Sequence, residues 1–266
     1  MSSRRLMWIQ TVKVALSNLL AYRVNFFLLV IGPALVFFFV KYSLWSSIYE
    51  QQGNRELAGM NRETMLGYQA MVLIVSLLAQ GHNSTRLAED IRLGRITAYL
   101  MYPFSLFEFH ASSFIALQAV QLLTSAVVFM LALSLGLFAK VNLAFIGQGL
   151  ILCCFVSILW FLIQYCIGLM AFWLEQTWVM RVLFQIVAQF LSGSILPLEF
   201  FPDGLRNILM YSPFPYLTWV PARAMLTGEE SLLYGTGILM FWIVCAALLA
   251  RLIWKKGLTM YTGAGM

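Results

Sequence analysis

The chain has 266 residues, of which 61% are hydrophobic and 11% charged, with a net charge of +6 and a mean hydropathy of +0.83. Soluble domains are typically about 45–50% apolar and about 25% charged, so a water-soluble fold of this length could not bury so much apolar surface. The composition therefore predicts an all-α integral membrane protein, a single domain over residues 1–266 with about six transmembrane helices. The basic residues flank apolar runs and form no stripe with interleaved aromatics, which argues against nucleic acid as a partner.

The N-terminal segment 4–22 has the pattern of an amphipathic helix. Positions spaced by 100° place Trp8, Leu16 and Tyr22 on one side, whereas Lys13 lies opposite them and interrupts any signal-peptide-like apolar run. Such a helix suits the membrane interface, with Trp and Tyr at the depth of the headgroups. The same pattern also fits a first helix that packs on other parts of the protein.

Six apolar windows follow and are the candidate transmembrane spans. They are 24–45, 64–81, 109–139, 142–174, 181–196 and 231–254. The third and fourth contain no Asp, Glu, Lys or Arg and exceed the ~20 residues that a span needs. With six spans and the N-terminus inside, most of the 17 Lys and Arg residues fall on the inner side, which predicts that both termini are cytoplasmic.

The segment 86–102, between the second and third spans, is the most charged stretch of the chain. Helical spacing places Leu87, Ile91, Gly94, Ala98 and Met101 on one face, with charged residues roughly opposite, and Pro103 stops the helix. One interpretation is a rigid lever that docks on a soluble partner and carries motion into the membrane. The other is a solvated connecting helix that only satisfies the positive-inside rule.

The segment 197–228, after the fifth span, is apolar but rich in proline. Five of the 7 prolines lie between Pro197 and Pro221, so one continuous helix is prevented. Backbone that is broken at membrane depth must be buried in protein or line a cavity, and a pair of short re-entrant helices on the outer side satisfies this condition. The segment is then either an exit gate or an aromatic belt at the interface.

Isolated polar residues carry weaker predictions. Uncharged polar groups within spans seek protein partners, so the glutamines either hold helices together or line a path. The candidates for path lining are Gln69, Gln80, Gln185 and Gln189. His110 is interpreted as an interfacial histidine, and no metal-ligating cluster or set of catalytic residues stands out.

Two stretches resemble a known group. "EDIRLGRITAYLMYPFSLFEF" is similar to the coupling region of ABC-2 type transporter permeases of the compact bacterial kind, and "GSILPLEFFPDGLRNILMYSPFPYLTWVPARAMLTG" is similar to their outer segment. The resemblance extends over nearly the whole chain, from the N-terminal interfacial helix to the sixth span. It implies a half-transporter that pairs with a second copy or a related permease, in the bacterial cytoplasmic (inner) membrane.

The resemblance also implies that ABC ATPase subunits bind at the inner side, with ATP and Mg²⁺ on those partners and no cofactor on this chain. The sequence has no G-x-x-x-x-G-K-[ST] phosphate loop, so this chain is not expected to be an enzyme. The residues implied to contact the ATPase are Glu89, Asp90, Ile91, Arg92, Gly94, Arg95, Tyr99 and Tyr102. Those implied to close the outer end of the path are Pro197, Glu199, Phe200, Phe201, Pro202, Pro213, Phe214, Tyr216 and Pro221.

The expected function is export of an amphipathic or lipid-like molecule (a lipid, glycolipid or hydrophobic drug), across a membrane whose lipids contact the chain. Aromatic residues make up 15% of the sequence and two spans lack charges, a composition that suits an apolar substrate better than a small ion. The alternatives are a membrane scaffold subunit that does not transport and a membrane enzyme that modifies lipid.

Overall fold

The computed structural model describes residues 2–22, 24, 28, 31–53, 55–81, 84–101, 103–138, 142–228 and 231–261. In this part of the chain the structure is helical, apart from an antiparallel bridge between Leu57 and Met60, so the all-α prediction is confirmed for it. Tyr102 and residues 25–27, 29 and 30 of the predicted span 24–45 lie outside the described residues.

The described residues form both long and short helices. In order they are α1 (Ser2–Ala21), α2 (Gly32–Gln51), α3 (Arg62–Ala79), α4 (Thr85–Arg92), α5 (Ile96–Met101), α6 (Leu106–Ser134), α7 (Leu143–Leu169), α8 (Trp178–Leu191), α9 (Asp203–Leu209), α10 (Phe214–Leu217), α11 (Trp219–Leu226) and α12 (Leu232–Met260). One 3₁₀ turn, Met170–Phe172, directly follows α7, and a second, Leu198–Phe200, precedes α9.

Three helices of the described residues are long and apolar enough to cross a membrane. They are Leu106–Ser134, Leu143–Phe172 and Leu232–Met260, which correspond to the third, fourth and sixth predicted windows. The count of six spans stays a prediction. The fifth window, 181–196, overlaps α8, whose 14 residues rise only about 21 Å, less than the ~30 Å of a hydrocarbon core.

Helix caps set the boundaries that hydropathy alone places differently. The third window begins at 109, but α6 begins at Leu106 because Ser105 and Glu108 form a capping box, each side chain bonded to the backbone of the other residue. Asn61 and Asn142 cap α3 and α7 in a similar way, through side-chain oxygens that accept backbone N–H groups.

The helix α7 is the centre of the fold. It is largely buried, whereas α6 and α12 are largely exposed, as expected of helices that present one side to lipid. The helices α3, α11 and α12 pack around α7, and two apolar clusters fill the space between them. One cluster lies with α4 at the end of α7 near Leu169, and the larger one fills the middle and the other end.

The N-terminal helix packs on protein through the face that the sequence pattern assigns to the membrane interface. Arg4 forms an ion pair with Glu108 at 2.7 Å, and the ring of Trp8 lies edge-on to Phe104. The predicted face is thus half-buried against α6, as in the alternative of a helix packed on protein, although Tyr22 remains exposed. This contact is favoured because Trp8 can also donate to the Glu108 carboxylate.

Candidate functional site

The predicted helix 86–102 is two helices in the structure, α4 and α5, which we call the inner helix pair. Gly94 separates them with a positive φ of 68°. The N–H of Arg95 donates to Asp90 O and that of Gly94 donates to Ile91 O, which together form a Schellman motif that ends α4. The prediction of one continuous helix is therefore wrong, because glycine at this position favours the left-handed conformation that stops a helix.

The break also changes the predicted faces. In α4, Leu87 and Ile91 are buried and Glu89 and Arg92 are exposed, as the helical spacing indicates. In α5 the register is lost, so Met101 is exposed instead of continuing the buried face.

The inner helix pair is anchored on the central helix through a glycine. A Cβ at Gly168 of α7 would lie 2.6 Å from a terminal methyl of Leu87, so only glycine lets α4 approach this closely. On the neighbouring α8, the Arg181 guanidinium donates to the Thr85 hydroxyl at the start of α4. The pair is thus held against α7 and α8 at the same end of the molecule.

A buried polar group joins the pair to α6. Asp90 Oδ2 lies 3.5 Å from His110 Nε2, and Asp90 Oδ1 lies 3.3 Å from a guanidinium nitrogen of Arg95. Asp90 and His110 are buried, whereas Arg95 is exposed. His110, interpreted from the sequence as an interfacial histidine, is buried within the protein with its ring beside Asp90 and Tyr165.

The C-terminal end of α12 holds the turn between α4 and α5. The Tyr261 hydroxyl donates a hydrogen bond to Gly94 O at 2.7 Å, and the Tyr261 hydroxyl oxygen also lies 2.9 Å from Thr97 Oγ1. Burial raises the pKa of Tyr99, which lies beside Phe109, and the nearby Asp90 charge adds to this effect. Sequence analysis missed Tyr261, since no pattern links a residue beyond the last span to a turn far earlier in the chain.

Residues 197–228, which we call the outer segment, form a series of short helical pieces. Pro197, Pro202 and Pro213 directly precede the 3₁₀ turn, α9 and α10, respectively, consistent with proline preventing a continuous helix. The last two pieces, α10 and α11, meet at Thr218, whose φ of −143° and ψ of −54° are not helical. The predicted pair of short helices corresponds to α10 and α11, with α9 as an additional element.

A partly buried ion pair lies within the outer segment. The Arg223 guanidinium contacts Glu199, and the indole N–H of Trp219 donates to the second carboxylate oxygen of Glu199 at 3.1 Å. Arg223 and Arg206 lie over the Trp219 ring, 5.4 and 5.7 Å from its centre. Of the predicted gate residues, Glu199 is therefore the one around which the segment is organised, and Trp219 and Arg223 are functional candidates that sequence analysis did not single out.

The other predicted gate residues are distributed around this group. Phe200 lies 5.5 Å from Trp45 of α2, and Phe214 lies 6.4 Å from Phe184 of α8, as measured between ring centres. Tyr216 is buried and donates to Met210 O. Phe201 is half-buried and Pro202 is exposed. Pro221 is buried in the first turn of α11.

The turn after α8 is bonded to three other helices. Three successive carbonyl groups, those of Ser192, Gly193 and Ser194, accept hydrogen bonds from Trp219 N, Tyr68 Oη and Lys41 Nζ, respectively, at 3.0, 2.7 and 2.6 Å. Buried carbonyl groups of a turn need partners from elsewhere in the protein, and a cation near the C-terminal end of a helix also complements the helix dipole. The sequence pattern suggests only that a charge at Lys41 is tolerated near the end of a span. In the structure, Lys41 is a specific partner of this turn.

The four candidate path glutamines divide into three environments. Gln69 is buried, and neither of its amide atoms has a hydrogen-bond partner among the described residues. Gln80 donates to the outer segment, at Leu217 O and Thr218 Oγ1. Gln185 and Gln189 are exposed one turn apart on α8, so these two are free to face a second subunit or a path.

Comparison with known protein families gives a match over nearly the whole chain. The family described as "ABC-2 family transporter protein" matches residues 12–265, which is nearly the whole sequence. A comparison with curated proteins found no match. The matched range includes both the inner helix pair and the outer segment.

Proposed function

Because the chain belongs to the ABC-2 family of transporter proteins, we propose that it is the permease subunit of an ATP-driven exporter. The observation that carries the proposal is the arrangement of its two ends. An amphipathic helix pair with exposed charges is held firmly at one end, a proline-broken segment is bonded together at the other, and α3 and α7 run between them. Such an arrangement suits a lever and a gate joined by a membrane domain.

The partner in this proposal is an ABC ATPase that docks on the exposed side of the inner helix pair. Glu89 and Arg92 offer charges of both signs, and Leu93 and Met101 expose apolar side chains beside them. Charged and apolar groups side by side are typical of a specific protein interface. ATP and Mg²⁺ bind to the partner, since the sequence of this chain has no phosphate loop.

The proposed substrate is amphipathic or lipid-like. The central helix α7 contains no Asp, Glu, Lys or Arg, and α6 has only Glu108 in its first turn. Helices of this kind offer no charged ligand for a small ion, whereas their apolar and aromatic surfaces suit a lipid, a glycolipid or a hydrophobic drug.

The proposal places the chain in the bacterial cytoplasmic membrane, with both termini in the cytoplasm. Two permease copies, or this chain and a related permease, then form the complete path. The exposed amides of Gln185 and Gln189 support pairing through α8, because polar groups at membrane depth are stabilised by protein partners.

Purification of the tagged chain from its native host in a mild detergent, followed by mass spectrometry, tests this function. We expect an ATPase with a phosphate-loop motif to co-purify, and its ATP hydrolysis to rise when lipid-like compounds are added. A second permease in the sample would establish a heterodimer. A chain that is recovered alone in several detergents would contradict the exporter and favour the scaffold or enzyme alternatives.

A further inference from the structure

The junction of α10 and α11 lies against the inner end of α3. The side-chain amide of Gln80, which follows the last residue of α3, donates to Leu217 O at 2.8 Å and to Thr218 Oγ1 at 2.9 Å. Leu217 and Thr218 are both fully buried. The interruption of the helix at Thr218 leaves the Leu217 carbonyl without a partner in a continuous helix, and the Gln80 amide supplies one.

Gln80 is also next to the inner helix pair. Gly81 follows it, and the side-chain amide of Gln121 on α6 occupies the place where a Cβ on residue 81 would lie. The helix α4 then begins at Thr85 and is fixed on α7 through the contact of Leu87 with Gly168. A displacement of α4 is therefore passed along the chain towards Gln80, whose neighbour Gly81 is packed against Gln121 of α6.

Other bonds of the outer segment involve no residue of the inner helix pair. Trp219 N is bonded to the turn after α8, and Arg223 is bonded to Glu199 within the segment. The Gln80 bonds, in contrast, join the segment to the residues that adjoin α4.

We propose that Gln80 is a positioning residue that transmits displacement of the inner helix pair to the outer segment, by its two hydrogen bonds to Leu217 and Thr218. This inference rests on the proposed function, since the displacement originates at the ATPase. When α4 moves, the end of α3 moves with it, and the amide pulls the junction of α10 and α11. Without the amide, the ATPase still turns over but the outer segment no longer responds.

The test uses the complex of this chain with its co-purifying ATPase in lipid nanodiscs. Spin labels on exposed positions, Tyr211→Cys before α10 and Leu143→Cys at the start of α7, report the position of the outer segment after the native cysteines are replaced. We expect a non-hydrolysable ATP analogue to shift the label distance in the parent protein. Gln80→Leu and Thr218→Val should abolish the shift while ATP hydrolysis continues.

Three variants separate this role from a merely structural one. Thr218→Ser keeps the hydroxyl and should restore the shift. Gln118→Leu and Thr124→Val make the same chemical changes on α6 and should behave as the parent. Among the described residues, the buried amide oxygen of Gln118 has no partner and Thr124 bonds to Val120 O of its own helix. A full shift in Gln80→Leu and Thr218→Val would overturn the proposal.

The isolated chain gives a test that does not need the ATPase, so failure of the proposed function is distinguishable. Leu87→Ala loosens α4 on α7, and hydrogen exchange of the Trp219 and Ala222 amides reports on α11. We expect exchange there to accelerate about tenfold in Leu87→Ala, and to show no further increase when Gln80→Leu is combined with it, because both changes break one connection. The link would be contradicted if Gln80→Leu raised the exchange rate equally with and without Leu87→Ala, or if Leu87→Ala left the exchange rate unchanged.

Discussion

At the scale of single residues, the turn after α8 shows how a membrane protein satisfies backbone groups without water. Its three carbonyl groups accept bonds from a backbone N–H, a phenol and an ammonium, each from a different helix. An unpaired carbonyl in a buried site costs free energy, and the membrane offers no alternative partner. The turn therefore fixes the relative positions of α2, α3 and α11.

Tyr68→Phe tests this arrangement. The variant keeps the ring but removes the hydroxyl that donates to Gly193 O at 2.7 Å, and both groups are buried. Because the carbonyl is left without its donor, we expect a loss of about 1–3 kcal/mol in the free energy of unfolding. Thermal or denaturant unfolding in detergent measures it. Tyr234→Phe, at an exposed position, is the matched control, and equal stabilities of the two variants would contradict the role of Tyr68.

The Glu199–Arg223 pair makes a second prediction at this scale. Its two side chains are 10% and 18% exposed, so removal of one leaves the other charge nearly buried. We expect Arg223→Met to destabilise the fold by about 3–5 kcal/mol, and Glu199→Gln with Arg223→Met to recover much of that loss, since breaking a buried pair costs more than replacing it. A double-mutant cycle of unfolding free energies measures the coupling. Strictly additive losses would show that the two residues act separately.

At the scale of elements, Gly94 determines the geometry of the inner helix pair. Its φ of 68° is disfavoured for residues with a Cβ. We expect Gly94→Ala to destabilise the protein by about 1 kcal/mol and to increase hydrogen exchange at the Arg95 amide, which closes the Schellman motif. Gly237→Ala is the control, because this glycine lies within α12 with open space around it and should gain stability slightly.

Sequence patterns predict some elements of this fold well for physical reasons. The windows of α6, α7 and α12 are recognisable because a lipid-exposed or buried helix must be apolar throughout. The breaks of the outer segment are equally local, since proline acts on its own backbone. Helix ends are harder to predict from the sequence, as α6 shows. Its capping box lies before the apolar window and is recognised only when Ser105 and Glu108 are considered together.

The candidate site is harder to predict because its key contacts join distant parts of the chain. Nothing local in the sequence pairs Lys41 with Ser194, Tyr261 with Gly94, or His110 with Asp90. Each pairing depends on how the helices pack, which in turn depends on close approaches such as that at Gly168. The exposed charges of α4 were predictable, whereas the buried groups that hold α4 in place were not.

At the scale of the whole molecule, the same helices serve both ends. The helix α3 carries Tyr68, bonded to the turn after α8, and is followed by Gln80, bonded to the outer segment. The central helix α7 supports α4 through Gly168 and packs on α11 near Gly149. The helix α7 contacts both the inner helix pair and the outer segment, and α3 packs on α7 and on α11, so these packed helices give a physical route for coupling between the ends.

Charge reversal on the inner helix pair tests whether this route is driven from a docked ATPase. Glu89 and Arg92 are exposed on α4 and the structure assigns neither an ion-pair partner within the described residues, so Glu89→Lys and Arg92→Glu should leave the fold intact. We expect each to weaken ATPase binding or to uncouple ATP hydrolysis from transport by about tenfold or more, since like charges facing each other at an interface cost several kcal/mol.

Co-purification of the ATPase, together with ATP hydrolysis and transport in reconstituted vesicles, measures the effect of these reversals. Arg55→Glu is the matched control, because Arg55 is exposed in the connection between α2 and α3, at the end of α3 that is remote from α4. This substitution should change none of the three quantities. Full transport in both Glu89→Lys and Arg92→Glu would exclude the exposed side of α4 as the docking surface. The same reversals with normal ATPase binding but lost transport would instead assign α4 to transmission alone, because binding would then rest on other residues of the inner helix pair.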